Sequence, residues 1–179
     1  MENELSNTEQ PCTIHSVSKS AFIKTFVLTV SRVFPKNHKQ AGNPTRFIEK
    51  ILNKEPENWT KIHTIRVNYD LWKNRIDQVN EGKAILSLRY WTGSPYNYQK
   101  DGSKQGVFLQ LGKGECGIQK IDFSTDYLYT VLIDGKRFSF NSEMIAENDG
   151  LTHDDFEEWF KDYDLREPMA LIHFTSKRY

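Results

Sequence analysis

The feature that most narrows the fold is a series of short β-type runs through the second half of the chain, with helical patterns on either side. Residues 83–91 alternate, placing Ala84, Leu86, Leu88 and Tyr90 on one face, and strict alternation marks a half-buried strand. Residues 107–111 and 117–123 are further strands. Residues 127–133 and 136–140 flank Asp134-Gly135, a strong hairpin signal because a type I′ turn needs two residues that tolerate positive φ. Strands do not alternate regularly with helices, which disfavours a doubly wound sheet. The pattern points instead to an α+β chain, a small mixed β-barrel with flanking helices.

The first half supplies those helices. Residues 22–33 read as a largely buried strand through Phe26, Val27, Leu28 and Val30, followed by a loop punctuated by Pro35, Gly42 and Pro44. Phe47, Ile48, Ile51 and Leu52 fall at helical spacing in a short helix that ends before Pro56. Asn68 is placed to cap a helix running to Val79, with Leu71, Trp72, Ile76 and Val79 as its stripe and Gly82 where it stops. Thr152 with Asp155 approximates a capping pair for a last helix buried through Phe156, Trp159 and Phe160. Residues 169–174 close the chain as a strand. Residues 1–18 are polar, interrupted by Pro11, and read as a flexible lead-in to one domain over 19–179.

The chain has 179 residues, which fits one domain at roughly 100–200 residues each. Its 24 Lys and Arg balance 24 Asp and Glu, which argues against a generic polyanion binder. The balance hides a polarity: residues 1–100 hold 15 bases against 9 acids, and the remainder 9 against 15, so the halves carry +6 and −6. Residues 24–48 contain five bases and no acid; residues 143–167 contain ten acids and two bases. Each stretch is either a solvated face or one side of a site framed by opposite charge. Cys12 and Cys116 form neither a disulfide framework nor a metal set, and the five histidines show no ligand spacing, so neither metal nor cofactor is expected. No apolar run is long enough to span a membrane, and the acidic N-terminus is unlike a secretory signal; the expected location is cytoplasmic.

Candidate chemistry concentrates in Lys61-Ile62-His63-Thr64-Ile65-Arg66. A threonine hydroxyl is inert until an adjacent base activates it, and a lysine becomes such a base when burial lowers its pKa. An arginine beside them holds a phosphate or a developing oxyanion. In a regular strand Thr64 and Arg66 share a face while Lys61 and Thr64 oppose, so the set converges only if the segment bends. The alternative is that Lys61 and Arg66 are exposed charges and Thr64 an ordinary strand residue. His63 is a candidate base or ligand contact, although a single histidine between apolar neighbours more often packs.

A second patch, Arg89, Trp91 and Tyr96, places aromatics beside an arginine, as base stacking requires; the competing reading is that Trp91 merely closes the core. Residues 98–105 are polar and turn-rich, suited to a flap. Arg32 and Lys36, in the acid-free stretch, are candidate phosphate contacts. Gly112, Gly114 and Gly117 lack the following helix and Lys-Ser/Thr pair of a phosphate loop, so a hairpin turn accounts for them better.

Three places together resemble the ASCH (activating-signal-cointegrator homology) domain of the PUA-like superfamily. They are Lys61-x-x-Thr64-x-Arg66, the helix followed by Gly82 and the strand through Leu88, and Glu147-Asn148-Asp149-Gly150-Leu151-Thr152 leading to the last helix and His173-Phe174. The resemblance covers roughly residues 22–179, with an insertion around 93–105. Lys83 departs from the family's Asp after Gly, and the segment from Arg66 to Gly82 is longer than in compact bacterial members. The resemblance implies a six-stranded PUA-like barrel whose cleft binds RNA or a modified nucleoside or nucleotide. It also implies, as an alternative, hydrolysis of N4-acetylcytidine or a similar acylated nucleoside through Lys61, Thr64 and Glu147, with Asp149 as the competing acid. A protein-interaction domain with a degenerate cleft is a third reading, compatible with the charge polarity.

Overall fold

The period-two runs become strands, and those strands form two hydrogen-bonded sheets. A computed structural model describes residues 23–53, 58–95, 102, 104–124, 127–138 and 142–179. The first sheet has the order β1-β3-β4, from Lys24–Thr29 (β1), Ala84–Trp91 (β3) and Gln105–Leu111 (β4). The second has the order β2-β8-β5-β6-β7, from His63–Arg66 (β2), Met169–His173 (β8), Gly117–Ser124 (β5), Tyr127–Ile133 (β6) and Lys136–Phe138 (β7). The architecture is α+β, and no ladder among the described residues closes the sheets into a barrel. β1 and β3 run parallel, which requires a long crossover, and α1 (Phe47–Ile51), β2 and α2 (Tyr69–Asn80) all lie within it.

β8 is the shared wall of two cores. All five of its residues are buried, and their alternation divides them. Ala170 and Ile172, with Phe174 beyond, pack with Leu28, Leu86, Leu88, Trp72 and Ile76. Met169 and Leu171 pack with Ile121, Val131, Ile145, Phe156 and Phe160 on the other side. The second core is covered by α3 (Ser142–Asn148) and α4 (His153–Phe160). A strand buried on both faces must read as continuously apolar, as Met-Ala-Leu-Ile does.

Local signals work as the sequence suggests at most ends. The Asn68 side chain accepts from the Leu71 N–H at 3.1 Å, and the Thr152 side chain accepts from that of Asp155 at 3.2 Å. Asp134 and Gly135 take φ of 51° and 75° in the β6–β7 hairpin. Leu71 departs from the expected stripe: it is exposed, leaving Trp72, Ile76 and Val79 as the buried face of α2. α3 was not anticipated as a helix. The 93–105 insertion is the β3–β4 connection; its neck is closed where Thr92 N–H donates to the Lys104 carbonyl at 2.9 Å, and 96–101 lie outside the described residues. No helix among the described residues is long and apolar enough to cross a membrane.

One end of the second core is polar. His63 and His173 are fully buried with ring centroids 5.9 Å apart, and the Tyr179 ring contacts both. Both nitrogens of His173 and Nδ1 of His63 have no partner among the described residues. Burial, with Arg178 nearby, holds the His173 imidazole down at about 3, and burial with the His173 neighbour keeps His63 well below its ordinary range. The unfolded chain protonates these rings near pH ~6.5 while the folded chain keeps them neutral. Stability is therefore full above about pH 6.5 and falls toward pH 3 by up to ~1.4 kcal/mol per pH unit for His173, with His63 adding a fall in the same direction. Urea unfolding followed across this range should show that slope, reduced in His173→Leu; an identical slope in the variant refutes the assignment.

Candidate functional site

The C-terminal end of α3 fixes the first functional side chain. Gly150, at φ 78°, ends the helix: its N–H donates to the Glu147 carbonyl at 2.8 Å and the Leu151 N–H to that of Ala146 at 2.9 Å. This is a Schellman closure, with Leu151 buried against the helix. It leaves the Asp149 and Gly150 carbonyls without helical donors, and two lysines supply them. Lys61 Nζ donates to the Asp149 carbonyl at 2.6 Å, and Lys50 Nζ to that of Gly150 at 2.5 Å. Cations are favoured at a helix C-terminus by its dipole.

Lys61 also donates to the Asp149 carboxylate at 2.8 Å, and its ammonium lies 4.2 Å from the Phe47 ring centroid. Only 1% of Lys61 is exposed. Burial lowers its pKa to about 8 despite the opposing pull of Asp149. Burial likewise raises Asp149, opposed by Lys61, Arg66 and Lys50. Gly150 is required here twice over, because a Cβ would adopt a strained φ and meet the Lys61 Cβ at 3.0 Å.

Regular pairing of β2 with β8 begins only at His63, while Lys61 stands in a separate bridge to Asp149. That break lets Lys61 and Thr64 line the same cleft. The Thr64 hydroxyl accepts from Arg66 Nη1 at 2.9 Å, and Arg66 also donates to the Ile65 and Thr29 carbonyls, each at 2.9 Å. The last bond ties β2 to the end of β1, across the seam between sheets. No hydrogen bond joins the Lys61 amine directly to the Thr64 hydroxyl.

The cleft has a volume of about 400 Å³ and sits at the C-terminal ends of β1 and β3. Lys61, Asp149, Thr64 and Arg66 lie along it; Trp91 and Arg32 line it too, so six residues singled out from the sequence converge. Others do not. Glu147 is exposed on α3 and Asp149 is the acid that meets Lys61, as the Schellman register dictates. His63 shares its strand face with core residue Ile65 and sits 3.2 Å from the Tyr179 hydroxyl, away from the cleft. Arg89 donates to Ser87 Oγ at 3.0 Å and to Gln105 at 3.4 Å, and is not among the lining residues. Lys36 is exposed and does not line the cleft, and Tyr96 lies outside the described residues.

Sequence reasoning missed Phe47, Trp159 and Tyr163, which line the cleft as well. Tyr163 extends the helical spacing of Phe156 and Phe160 by one more step, which was the available signal. Among the described residues, no group of three or more His, Cys, Asp or Glu is placed to hold a metal ion. Comparison with protein-family models, with curated proteins and with solved structures finds no match to this chain.

Removing one partner of a buried ion pair leaves an uncompensated charge, at a cost of about 3–5 kcal/mol. Lys61→Met and Asp149→Asn should each lower unfolding free energy on that scale, and the double variant should lose less than their sum. Strict additivity in denaturant unfolding contradicts a direct coupling.

Proposed function

We propose that the cleft binds a single nucleoside or nucleotide unit, free or within single-stranded RNA, in a module related to the ASCH and PUA-like barrels. The observation that carries this reading is the convergence of Lys61, Asp149, Thr64, Trp91 and Arg32 on one cleft. Its volume is in the range of small-molecule sites. Lys61 has two of its three N–H groups engaged by Asp149, leaving one for a ligand acceptor. Trp91, Trp159 and Tyr163 offer aromatic faces for a base, and exposed Arg32 offers a charge for a phosphate at the rim. Arg66 acts as a positioning residue, since its guanidinium is already committed to three protein oxygens.

Calorimetric titration with cytidine, cytidine monophosphate and short single-stranded RNA tests this. Base stacking of ~1–3 kcal/mol means Trp91→Ala should weaken binding by roughly tenfold or more. Arg32→Ala should weaken the nucleotide and leave the nucleoside unaffected. Absence of binding by all three ligands, or unchanged affinity in Trp91→Ala, removes the proposal.

A second reading, amide hydrolysis of N4-acetylcytidine or a similar acylated nucleoside, is favoured by one specific observation: a lysine with a pKa of about 8 in the same cleft as a threonine. Thr64 Oγ would attack the acetyl carbonyl and pass its proton to neutral Lys61; that proton leaves with the cytidine amine, and water then hydrolyses the acetyl ester. Asp149 orients the amine in the part first assigned to Glu147. Turnover should rise with pH through about 8, as Lys61 loses its proton, and vanish in Thr64→Ala. Activity persisting in Thr64→Ala removes Thr64 as the nucleophile, and no activity in the intact protein eliminates hydrolysis and leaves binding.

A further inference from the structure

Two chain segments meet at the cleft, 61–63 and 148–149, and three ties join them. Inside the cleft, Lys61 donates to the carbonyl and carboxylate of Asp149. In the backbone, the Ile62 N–H donates to the Asn148 carbonyl at 2.9 Å. The third tie comes from neither segment: the Tyr179 hydroxyl accepts from Asn148 Nδ2 at 2.7 Å and lies 3.2 Å from His63 Nε2. A phenol oxygen that accepts one donor still has its own proton to give, and an unprotonated imidazole nitrogen takes it. Tyr179, His63 and Asn148 do not line the cleft, so this clasp closes the two segments from outside it.

Tyr179 reaches this place at the far end of an exposed stretch. Just after β8, the Phe174 N–H donates to the Ile62 carbonyl at 2.8 Å, and residues 176–178 are exposed. Arg178 donates to the Thr175 and Lys177 carbonyls at 2.7 and 2.6 Å. Its guanidinium lies across β5 at Gly117, where a Cβ would overlap it. Gln119 then grips the Tyr179 backbone on both sides: the Tyr179 N–H donates to Gln119 Oε1 at 2.8 Å, and Gln119 Nε2 donates to the Tyr179 carbonyl at 3.1 Å. Asp134 holds Gln119 in turn, accepting from Nε2 at 2.9 Å. Residues 174–179 are thus a strap, anchored at both ends and exposed between them. Stretches of this kind open at lower free energy than a packed core.

We propose that Tyr179 is a positioning residue for the cleft: seated by the strap, its hydroxyl holds the 61–63 and 148–149 segments together and so keeps the Lys61–Asp149 pair dry and in register. Opening the strap separates the segments, admits water to Lys61 and weakens binding in the cleft. A ligand that needs the closed pair must in turn favour the seated strap, because coupling between two equilibria is reciprocal. The charged groups facing the Lys61 ammonium are Asp149, Arg66 and Lys50. None of them lies on the strap, so the strap acts through geometry and hydration. Burial is the largest influence on Lys61, and water entering beside it therefore raises its pKa.

The test follows the ¹³Cε signal of Lys61 in the full chain against pH, the signal being identified by its loss in Lys61→Arg. The intact protein should titrate at about 8. Tyr179→Phe keeps the ring against the histidines and removes only the hydroxyl; Gln119→Ala removes the anchor of the strap and touches neither segment of the pair. Both should move the midpoint upward, toward the ordinary ~10.4. Val79→Ala, in the first core on α2, neither lines the cleft nor bonds the strap, and should leave the midpoint in place. A midpoint unmoved in either Tyr179→Phe or Gln119→Ala overturns the proposal, as does an equal rise in Val79→Ala. One further arm rests on the nucleotide reading: Tyr179→Phe should raise the Kd of cytidine monophosphate several-fold. An unchanged Kd overturns the coupling of strap to cleft. No binding by the intact protein removes the nucleotide reading, and the Lys61 midpoint then decides the strap by itself.

Discussion

The buried Lys61–Asp149 pair is the interaction on which the site depends. A lysine is among the residues least often found inside a protein unless paired, and here it is 1% exposed. Its position follows from two independent demands. The end of α3 leaves carbonyls that need donors, and the Asp149 carboxylate stands where the helix dipole disfavours negative charge. One ammonium answers both, donating to the Asp149 carbonyl and to its carboxylate. In return it anchors the chain just before β2 against α3, so the segment meets β8 only from His63 onward. The break in pairing is what turns a set of residues that would oppose one another along a strand into neighbours lining one cleft.

Arg66 shows how geometry separates two roles that the sequence leaves together. A guanidinium engaged with a phosphate must give up other acceptors, and hydrogen bonds from a charged donor are each worth about 1.5–3 kcal/mol. Arg66 holds a hydroxyl and two carbonyls, one of them on β1 in the other sheet. Withdrawing it would unfasten the seam between the sheets. Arg32 carries no such duty: its guanidinium lies 5.5 Å from the Tyr90 ring centroid and remains exposed. The division of labour follows: Arg66 orients Thr64 and joins the sheets, while Arg32 is available at the rim.

Much of the framework was legible because the signals are local. Alternation marked β3, an apolar run β1, Asp134-Gly135 the hairpin, and Asn68 and Thr152 the helix starts. The identity of the acid was also partly legible, since an Asp-Gly pair at a helix end places the acid at the cap and the glycine in the left-handed position. It was obscured because α3 is only seven residues long, with Ile145 and Ala146 its only buried apolar residues. His63 was misplaced for a plain reason: period two puts it on the face of Ile65, opposite Thr64 and Arg66, and that face is the core. What no local pattern conveys is which sheet each strand joins. The 61–66 segment meets α3 some eighty residues on, and the burial of Lys61 is a property of that contact alone.

The charge polarity of the chain can be followed to its destination, and it bears on ligand size. The basic stretch before α1 docks on the acidic last helix: Lys39 lies 3.6 Å from Asp155, Gln40 donates to the same carboxylate at 2.7 Å, and Asn37 donates to Asp162 at 2.6 Å. Phe34 and His38 stack beneath this contact and meet Trp159, which also lines the cleft. Part of the +6 and −6 asymmetry is thus neutralised inside the fold. An extended nucleic acid binds through many phosphate contacts on a continuous basic track. In this cleft Lys61 is paired with Asp149, Arg66 faces protein oxygens, and Arg32 stands at the rim. For the nucleotide ligand proposed above, that distribution would offer charge for about one phosphate, which fits a single unit better than a duplex laid across the surface.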